Sequence, residues 1–93
     1  MLETEAQAVV IRLTLYTGPG CHLCDTARDM LYQTLEYGSY ELIEVDVTQS
    51  LETKKAYGLR IPVLVLAHEG KKEELPWPFN EVDLQRLVQS RGE

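Results

Sequence analysis

The sequence predicts an α/β fold with the element order β-α-β-α-β-β-α, a four-stranded mixed sheet flanked by helices. Three observations predict it: an apolar, β-branched run that ends in a Gly-Pro-Gly loop, a helical stripe after that loop, and a uniformly apolar strand later in the chain. The 93 residues have the length of one domain, so we expect a single domain over residues 1–93. Within it we expect residues 1–8 to form a flexible N-terminal segment.

The first strand and the first helix flank a glycine-rich loop. Residues 9–16 are β-branched and apolar and are halted by Gly18-Pro19-Gly20, which indicates a central strand that ends in a tight loop. After the loop, apolar residues recur at helical spacing, which predicts an amphipathic helix that closes near Gly38. The residues of this stripe are Leu23, Ala27, Met30, Leu31 and Leu35.

The middle of the chain predicts a second strand and a short helix. Residues 40–47 alternate between the two faces of a strand, which we expect to be more exposed than the first. Thr48 or Ser50 can cap a short helix that stops at Gly58. Two strand–helix–strand links therefore join the first three strands, and links of this length are what parallel pairing requires.

The last third of the chain predicts a strand, a hairpin and a final helix. Residues 62–67 are uniformly apolar, as expected of a strand that is covered on both faces. After a turn at residues 68–70, residues 71–75 return as a fourth strand whose charges suit an exposed sheet edge. Asn80 caps the last helix, whose inward residues we expect to be Val82, Leu84, Leu87 and Val88.

Charge and composition exclude two classes of partner. The formal net charge of −6 repels phosphate backbones, and the basic residues are scattered, so we expect no nucleic-acid partner. Glu3 and Glu5 stand where a signal peptide needs positive charge, and residues 9–16 are too short to span a bilayer. We therefore expect a cytoplasmic protein with no membrane partner. In that reducing compartment, two cysteines are more often catalytic or metal-binding than a permanent disulfide.

Cys21 and Cys24 form a C-x-x-C pair where the loop meets the first helix. Residues three apart share a helix face, so the two sulfurs can form a disulfide. Cys21 meets the unpaired N–H groups and the positive dipole end of the helix, which favour the thiolate and create a nucleophile. Cys24 lies one turn further in and should be less exposed. We therefore predict that Cys21 attacks and that Cys24 resolves the mixed disulfide.

Several alternatives remain open around this pair. His22 either adds positive charge beside Cys21 or is an exposed loop residue, and Asp25 stabilises the helix but opposes a thiolate nearby. A C-x-x-C pair is also half of a zinc site, which His22 and His68 would have to complete, since a second ligand pair at knuckle spacing is missing. Two inert buried cysteines are a third reading. The β-α-β context favours redox chemistry without a bound metal.

Two stretches resemble the glutaredoxin-like family of the thioredoxin-fold superfamily. Residues 15–24, Leu-Tyr-Thr-Gly-Pro-Gly-Cys-His-Leu-Cys, look like the first strand and active-site loop of glutaredoxins and thioredoxins. Residues 57–64, Tyr-Gly-Leu-Arg-Ile-Pro-Val-Leu, look like their Ile/Val-Pro segment, and residues 77–79 add a late Trp-Pro-Phe. The match is closest to short bacterial glutaredoxin-like proteins and covers about residues 9–90. It implies a thioredoxin fold, a cis Pro62 that faces the dithiol, and an Ile61 backbone that pairs with an incoming peptide or glutathione.

The chain also departs from that family. His22-Leu23 stands where dithiol glutaredoxins carry Pro-Tyr or Pro-Phe. Residues 17–20 also lack the lysine that often precedes the first cysteine in that family. The usual glutathione clamp before the last helix is replaced by residues 78–83. Glutathione specificity therefore does not follow from the resemblance. Arg60 is a candidate to hold a carboxylate of glutathione or of a partner, and the alternative is a solvated loop charge.

Three functions follow from these observations. The first is a thiol–disulfide oxidoreductase that reduces protein or glutathione mixed disulfides through its dithiol. It needs no cofactor, glutathione is its candidate reductant, and its partner is a disulfide-bearing protein or glutathione; we expect a monomer. Its site residues are Cys21 and Cys24 for catalysis and His22, Arg60, Ile61 and Pro62 for substrate binding.

The second function is a metal or iron–sulfur binding module, because two thiolates and outside thiols can hold a cluster between subunits. The third is a redox-sensing adaptor with a thioredoxin fold, in which the exposed sheet edge and Trp77-Pro78-Phe79 bind a partner. Trp77 and Phe79 are more often core residues than binding residues, so this third function ranks last.

Overall fold

The structure, a computed structural model, describes residues 11–36, 38–68 and 70–89. Within these residues the element order is β-α-β-α-β-β-α, as predicted, with one 3-10 turn after the second strand. The elements are β1 (Ile11–Thr17), α1 (His22–Thr34), β2 (Tyr40–Asp46), the 3-10 turn (Val47–Gln49), α2 (Leu51–Tyr57), β3 (Val63–His68), β4 (Lys71–Pro76) and α3 (Glu81–Gln89). The expected flexible segment at residues 1–8 lies outside the described residues.

The four strands form one mixed sheet in the order β2-β1-β3-β4. β1 and β2 are parallel, with Leu15 opposite Glu44, whereas β3 is antiparallel to β1, with Leu15 opposite Leu64. Parallel pairing of the first three strands is therefore confirmed for β2 and wrong for β3. The reason is the length of α2, whose seven residues rise only about 10 Å, whereas the seven residues of β2 span about 23 Å. The helix alone is too short to return the chain to the far end of the sheet, and β3 begins at the same edge at which β2 ends.

The main core lies between one face of the sheet and the helices α1 and α3. Its strand residues alternate along β1 and β3. Val63 and Val65, on the opposite face of β3, are buried as well, which confirms that this strand is covered on both faces. The buried members of this cluster are Ile11, Leu13, Leu15, Ala27, Leu31, Leu64, Leu66, Phe79, Leu84 and Leu87. The burial of Phe79 confirms that it is a core residue, and Trp77 packs against the same cluster.

Two predicted core positions are wrong. Leu23 and Val82 are 50% and 51% exposed, respectively. In α1 the buried residues are Cys24, Ala27 and Leu31, so the inward face of the helix includes Cys24. Leu23 lies to one side of that face. In α3, Leu84 sets the inward direction, and Val82 two positions earlier points away, because successive residues are rotated by about 100°.

The caps of the two short helices follow from the sequence. Ser50 Oγ accepts a hydrogen bond from the Thr53 amide at 3.1 Å, which makes Ser50 the N-cap of α2. Asn80 Oδ1 accepts from the Asp83 amide at 2.8 Å, and Asp83 Oδ2 accepts from the Asn80 amide at 3.0 Å. This reciprocal pair confirms Asn80 as the cap of α3.

The exposed fourth strand is confirmed as a sheet edge. β4 is the last strand in the sheet order, and its residues 71–74 are exposed and charged. Charged side chains at such an edge discourage pairing with a strand of another molecule. Within the described residues, no helix has the length and apolar content that crossing a membrane requires.

Candidate active site

The loop between β1 and α1 places the dithiol at the carboxyl edge of the first strand. β1 ends at Thr17, and Gly18-Pro19-Gly20 turns the chain into α1. Gly20 has a φ of 69°, a conformation that favours glycine, so this residue permits the sharp entry into the helix. Cys21 then occupies the N-cap position of α1 with extended backbone angles.

Cys21 and Cys24 are bonded to each other in a disulfide, and their Cα atoms are 5.3 Å apart. The Cys24 amide also donates a hydrogen bond to Cys21 Sγ over 3.1 Å, so the first sulfur fills the role of a capping acceptor. Cys24 is 2% exposed, whereas Cys21 is partly exposed. The predicted disulfide is therefore present, and the two sulfurs differ in access as expected; their roles in catalysis stay a prediction.

A second loop approaches the dithiol loop from β3. The Ile61–Pro62 peptide bond is cis, as the family resemblance implies, and Pro62 is buried. The Ile61 side chain lies against Gly18, where an added Cβ would stand 2.8 Å from Ile61 Cδ1. Gly18 thus allows Ile61 to approach the loop that carries Cys21. The sequence-predicted residue Ile61 is thus brought to the dithiol loop, although it lies 40 positions beyond Cys21 in the chain. That Pro62 faces the dithiol stays a prediction.

A groove of about 420 Å³ lies between these two loops and the helix α2. It is lined by Gly18, Pro19, Val47, Thr48, Lys54, Gly58, Leu59 and Ile61. Most of this lining is apolar, and Leu59 is fully exposed. The size falls in the range of about 300–1,000 Å³ that is typical of small-ligand sites. The groove residues on α2 were not predicted from the sequence, because the helix had only a weak apolar face.

Arg60 does not line this groove, because its guanidinium is engaged elsewhere. Nη1 donates to Glu74 Oε1 at 3.2 Å and Nη2 donates to the Ala56 carbonyl at 3.0 Å. The guanidinium carbon also lies 5.2 Å from the centre of the Tyr57 ring, a cation–π distance. A substrate carboxylate at Arg60 would have to compete with Glu74, so the binding role of Arg60 stays a prediction without direct support.

His22 is the first residue of α1 and is exposed. The open question at Asp25 is answered by a residue that sequence analysis did not use. Arg28 Nη1 donates to Asp25 Oδ1 at 2.9 Å, and its Nε and Nη2 both donate to Glu44 at 2.8 Å. These hydrogen bonds, above all those to Glu44, raise the pKa of Arg28 above its ordinary value. The charge of Asp25 is therefore paired, which weakens its opposition to a thiolate nearby.

An aromatic pair joins β1 to the end of α2. Tyr16 near the end of β1 stacks on Tyr57 at the end of α2, with ring centres 4.0 Å apart and planes 15° from parallel. Burial raises the pKa of Tyr57, and the neighbouring Tyr16 and Glu74 raise it further. The stack fixes the end of α2, from which the chain continues into the Ile61–Pro62 loop. No local pattern in the sequence indicates this pair, because its members are 41 positions apart.

The zinc alternative finds no support in side-chain geometry. Among residues 11–36, 38–68 and 70–89, no group of three or more His, Cys, Asp or Glu side chains is placed to hold a metal ion. His22 and His68 therefore do not complete a site with the two cysteines. A metal bound by this dithiol would need ligands from outside the described chain.

Comparison with known proteins agrees with this geometry. A family profile described as the glutaredoxin-like domain (DUF836) matches residues 12–89. A solved structural-genomics target from X. campestris is 36% identical, with a TM-score of 0.69, over 84% of this chain and 96% of that chain. A thioredoxin variant from Halobacterium salinarum is 26% identical, with a TM-score of 0.70, over 89% of this chain and 75% of that one.

More distant structures share the fold alone. A thioredoxin from Fasciola hepatica is 21% identical, with a TM-score of 0.65, over 95% of this chain and 86% of that chain. A search of curated proteins returns no match. The family profile covers most of the chain and agrees with the resemblance in the two loops. The chain belongs to the glutaredoxin-like domain family and has the thioredoxin fold.

Proposed function

We propose that this protein is a thiol–disulfide oxidoreductase that reduces protein or glutathione mixed disulfides, with Cys21 as the attacking thiol and Cys24 as the resolving thiol. The observation that carries the proposal is the pairing of a partly exposed Cys21 at a helix N-cap with a Cys24 that is 2% exposed and within bonding distance. A substrate sulfur can reach the first sulfur from solvent, whereas the second is accessible chiefly to the first.

The reaction proceeds in two exchanges. The Cys21 thiolate attacks one sulfur of a disulfide R–S–S–R′, forms the mixed disulfide Cys21–S–S–R, and releases R′S⁻, which takes a proton from solvent. Cys24 loses its proton and attacks Cys21 Sγ, which forms the Cys21–Cys24 disulfide and releases RS⁻. The substrate gains two electrons and two protons in total, and the protein dithiol loses them.

Backbone groups at the start of α1 assist the first exchange. The amide of Cys24 already donates to Cys21 Sγ at 3.1 Å, and a charged sulfur would strengthen such a hydrogen bond. The positive end of the helix dipole acts on the same atom. The pairing of Asp25 with Arg28 limits the opposing negative charge.

The second loop supports binding of the substrate chain. Ile61 and Pro62 precede β3, which begins at Val63, so the peptide groups of Ile61 lie outside the sheet pairing and are available to an extended substrate. Exposed Leu59 and half-exposed Leu23 add apolar surface near the dithiol, which suits a polypeptide partner. His22, exposed beside Cys21, is proposed as a further contact.

The cycle needs a reductant and no resident cofactor. Two thiols of glutathione, or a dithiol of a partner reductase, would supply the two electrons that restore the Cys21–Cys24 dithiol. We propose that the protein works as a monomer in the cytoplasm, where such reductants keep thiols reduced. A disulfide-bearing protein or glutathione would be its partner.

A single-turnover assay tests the proposal without assuming an electron donor. Fully reduced protein is mixed with a glutathionylated peptide, quenched in acid, and analysed by alkylation and mass spectrometry for the Cys21–Cys24 disulfide. Cys21→Ser should abolish the exchange, and Cys24→Ser should accumulate the Cys21 mixed disulfide. Failure of the wild-type protein to oxidise, or full exchange by Cys21→Ser, would contradict the proposal.

The same variants identify the type of enzyme. If Cys24→Ser turns over the glutathionylated peptide when glutathione is added, the activity is of the glutaredoxin type. If that variant only traps protein partners, the mechanism is closer to that of a thioredoxin. The iron–sulfur alternative is tested separately by the colour and the sulfide content of freshly purified protein.

A further inference from the structure

The side chain of Arg60 is held by three neighbouring residues at once. Its Nη1 donates a hydrogen bond to Glu74 Oε1 at 3.2 Å, and its Nε and Nη2 donate to the Ala56 carbonyl at 3.3 and 3.0 Å. The guanidinium carbon lies 5.2 Å from the centre of the Tyr57 ring. Every nitrogen of the guanidinium therefore has a partner within the chain, although the Arg60 side chain is 45% exposed. A cation with these contacts is suited to holding a segment of chain in place.

The neighbours of Arg60 join α2 to two strands of the sheet. Ala56 and Tyr57 lie in the last turn of α2, and Glu74 lies on β4. The Tyr57 ring stacks on Tyr16 of β1 with 4.0 Å between the ring centres, and its hydroxyl donates to Glu74 Oε2 at 3.5 Å. Arg60 therefore connects the end of α2 directly to β4 and, through Tyr57, to β1.

Arg60 lies in the middle of the link between α2 and β3, which is formed by residues 58–62. Near the start of the link, the Arg60 amide donates to the Tyr57 carbonyl at 2.8 Å. At its far end, the Pro62 carbonyl accepts a hydrogen bond from the Trp77 amide at 3.3 Å. The link is thus fixed where it leaves α2 and where it enters β3, and the side chain of Arg60 fixes its middle.

The residue after Arg60 is the one to which the proposed function assigns the substrate chain. The Ile61 N–H lies in the same planar peptide unit as the Arg60 carbonyl, so a rotation of the Arg60 backbone turns that N–H as well. The Ile61 side chain also lies against Gly18 of the dithiol loop, and a displaced link would separate the two. The contacts of Arg60 therefore control the direction in which Ile61 presents its peptide groups.

We propose that Arg60 is a positioning residue, which holds residues 58–62 so that the Ile61 peptide groups bind the extended backbone of a polypeptide substrate. Glu74 and Tyr57 are its partners in this role. The inference rests on the proposed function, and it gives Arg60 no contact with a substrate carboxylate or with a reacting sulfur. It concerns substrates that have peptide groups beside the reacting sulfur, whatever their charge, because a small disulfide without peptide groups has nothing to pair with Ile61.

Substitution of Glu74 tests the proposal with two uncharged disulfides. One is bis(2-hydroxyethyl) disulfide, and the other is a short uncharged peptide with blocked ends, whose single cysteine is joined to 2-mercaptoethanol. Both are reduced in single-turnover reactions with pre-reduced protein. Glu74→Gln should raise the half-saturating concentration of the peptide about 2- to 5-fold, the size of one exposed ion pair, and keep the limiting rate within about twofold. The rate with the small disulfide should also stay within about twofold.

A ligand role of Arg60 predicts the opposite result for the same variant. If Arg60 bound a substrate carboxylate, Glu74→Gln would release the guanidinium from its competitor. A peptide with a free carboxylate would then bind more tightly to Glu74→Gln than to the wild type, and the blocked peptide would bind equally to both. That pair of results would overturn the proposal.

Further variants separate this role from a general effect of charge. Arg60→Met should raise the half-saturating concentration of the blocked peptide at least as much as Glu74→Gln, and the double variant should show less than the sum of the two effects. Arg60→Lys should recover only part of the binding, because an ammonium group lacks the planar fork that reaches Ala56 and Glu74 together. Arg12→Met is the matched control, because it removes one exposed ion pair, to Glu41 at 3.4 Å, at the other end of β1. An equal effect of Arg12→Met would contradict the proposal.

Amide hydrogen exchange gives a measurement that is independent of turnover. The Trp77 amide donates to the Pro62 carbonyl, so its exchange reports whether the link keeps its place. Exchange at Trp77 should be faster in Glu74→Gln, whereas the amide of Leu66 in the middle of β3 should be unchanged. Unchanged peptide binding by Glu74→Gln would overturn the inference and leave the proposed function standing. If the wild-type protein reduced neither disulfide, the proposed function would fail, and the exchange at Trp77 would still decide whether Glu74 and Arg60 hold the link.

Discussion

In the reduced protein, Cys21 should be alkylated well before Cys24, because the two thiols differ in exposure and in hydrogen bonding. The perturbation is a limiting amount of iodoacetamide at pH 7. Cys21 is partly exposed and accepts the amide of Cys24 over 3.1 Å, whereas Cys24 is 2% exposed. The reagent attacks thiolates, so both the fraction of thiolate and the access to it set the rate.

The size of the difference follows from these contacts. A hydrogen bond to a charged acceptor contributes about 1.5–3 kcal/mol, which corresponds to a gain of about 10- to 100-fold in the ratio of thiolate to thiol. A free thiol with a pKa of about 8.5 is only about 3% ionised at pH 7, so the gain in rate saturates near 30-fold. Burial of Cys24 adds to the difference, since the helix must open before the reagent reaches it. We therefore expect Cys21 to react at least about ten times faster.

Tandem mass spectrometry can measure this ratio directly. Trypsin cuts after Arg12 and Arg28, so both cysteines lie on the peptide of residues 13–28 and their labels must be distinguished by fragment ions. Unfolding in urea is the matched control, because it removes both the hydrogen bond and the burial and should equalise the rates. Equal rates in the folded protein, or faster labelling of Cys24, would refute the assignment of roles.

Three further predictions concern the surroundings of the dithiol. Gly18→Ala places a methyl group 2.8 Å from Ile61 Cδ1, so the Ile61 side chain must move. Single-turnover exchange should slow several-fold, while the free energy of unfolding in urea should fall by less than about 1 kcal/mol. An unchanged exchange rate would contradict this prediction. Arg28→Met removes three hydrogen bonds to carboxylates, and the Arg28 side chain is 28% exposed. The free energy of unfolding in urea should therefore fall by roughly 0.5–1.5 kcal/mol. A loss of the same size in high salt would argue against ion pairing. Hydrogen bonds from Thr48 lower the pKa of Asp46. Ionised Asp46 therefore stabilises the fold above the ordinary carboxyl pKa, and this contribution is lost as the pH falls through the lowered value. Asp46→Asn should flatten the dependence of stability on pH below about pH 4, and a profile identical to that of the wild type would contradict this role of Asp46.

Local sequence patterns were sufficient to predict the helices and strands, but they predicted less well which side chains face the core and in which direction each strand runs. The caps at Ser50 and Asn80 depend on contacts within three residues, so the local sequence identified Asn80 and limited the cap of α2 to Thr48 or Ser50. Leu23 and Val82 were misplaced, because an apolar residue in a first helical turn satisfies the periodicity whether or not the sheet reaches it. The antiparallel direction of β3 is related to the length of α2 relative to β2. Helix and strand boundaries inferred from a sequence are uncertain by a few residues, so this comparison of lengths could not be made from the sequence.

The site divides in the same way between local and distant contacts. Cys21 and Cys24 are three residues apart, and the helix start acts on them directly, so their pairing was predictable. Arg60 was either a carboxylate anchor or a solvated loop charge, and no local pattern could show its contact with Glu74, which lies 14 residues further along the chain on β4. The sequence could not show that Lys54 lines the groove and that Lys55 beside it does not, because no local sequence pattern distinguishes the two lysines.

The charge of Asp25 shows how a distant residue changes the chemistry of a local motif. Alone in the first turn of α1, Asp25 would oppose the Cys21 thiolate that the helix end favours. Arg28 approaches Asp25 Oδ1 to 2.9 Å, and it is held there by two hydrogen bonds to Glu44 on the neighbouring strand β2. The field of a paired charge falls off faster with distance than that of a single charge, so the helix terminus becomes the dominant influence on Cys21. Arg28 therefore acts on two levels, joining α1 to the sheet and compensating an acid within the dithiol motif. Arg28→Met should consequently slow the alkylation of Cys21 as well as destabilise the fold, and adding Asp25→Asn should recover the rate without recovering the stability.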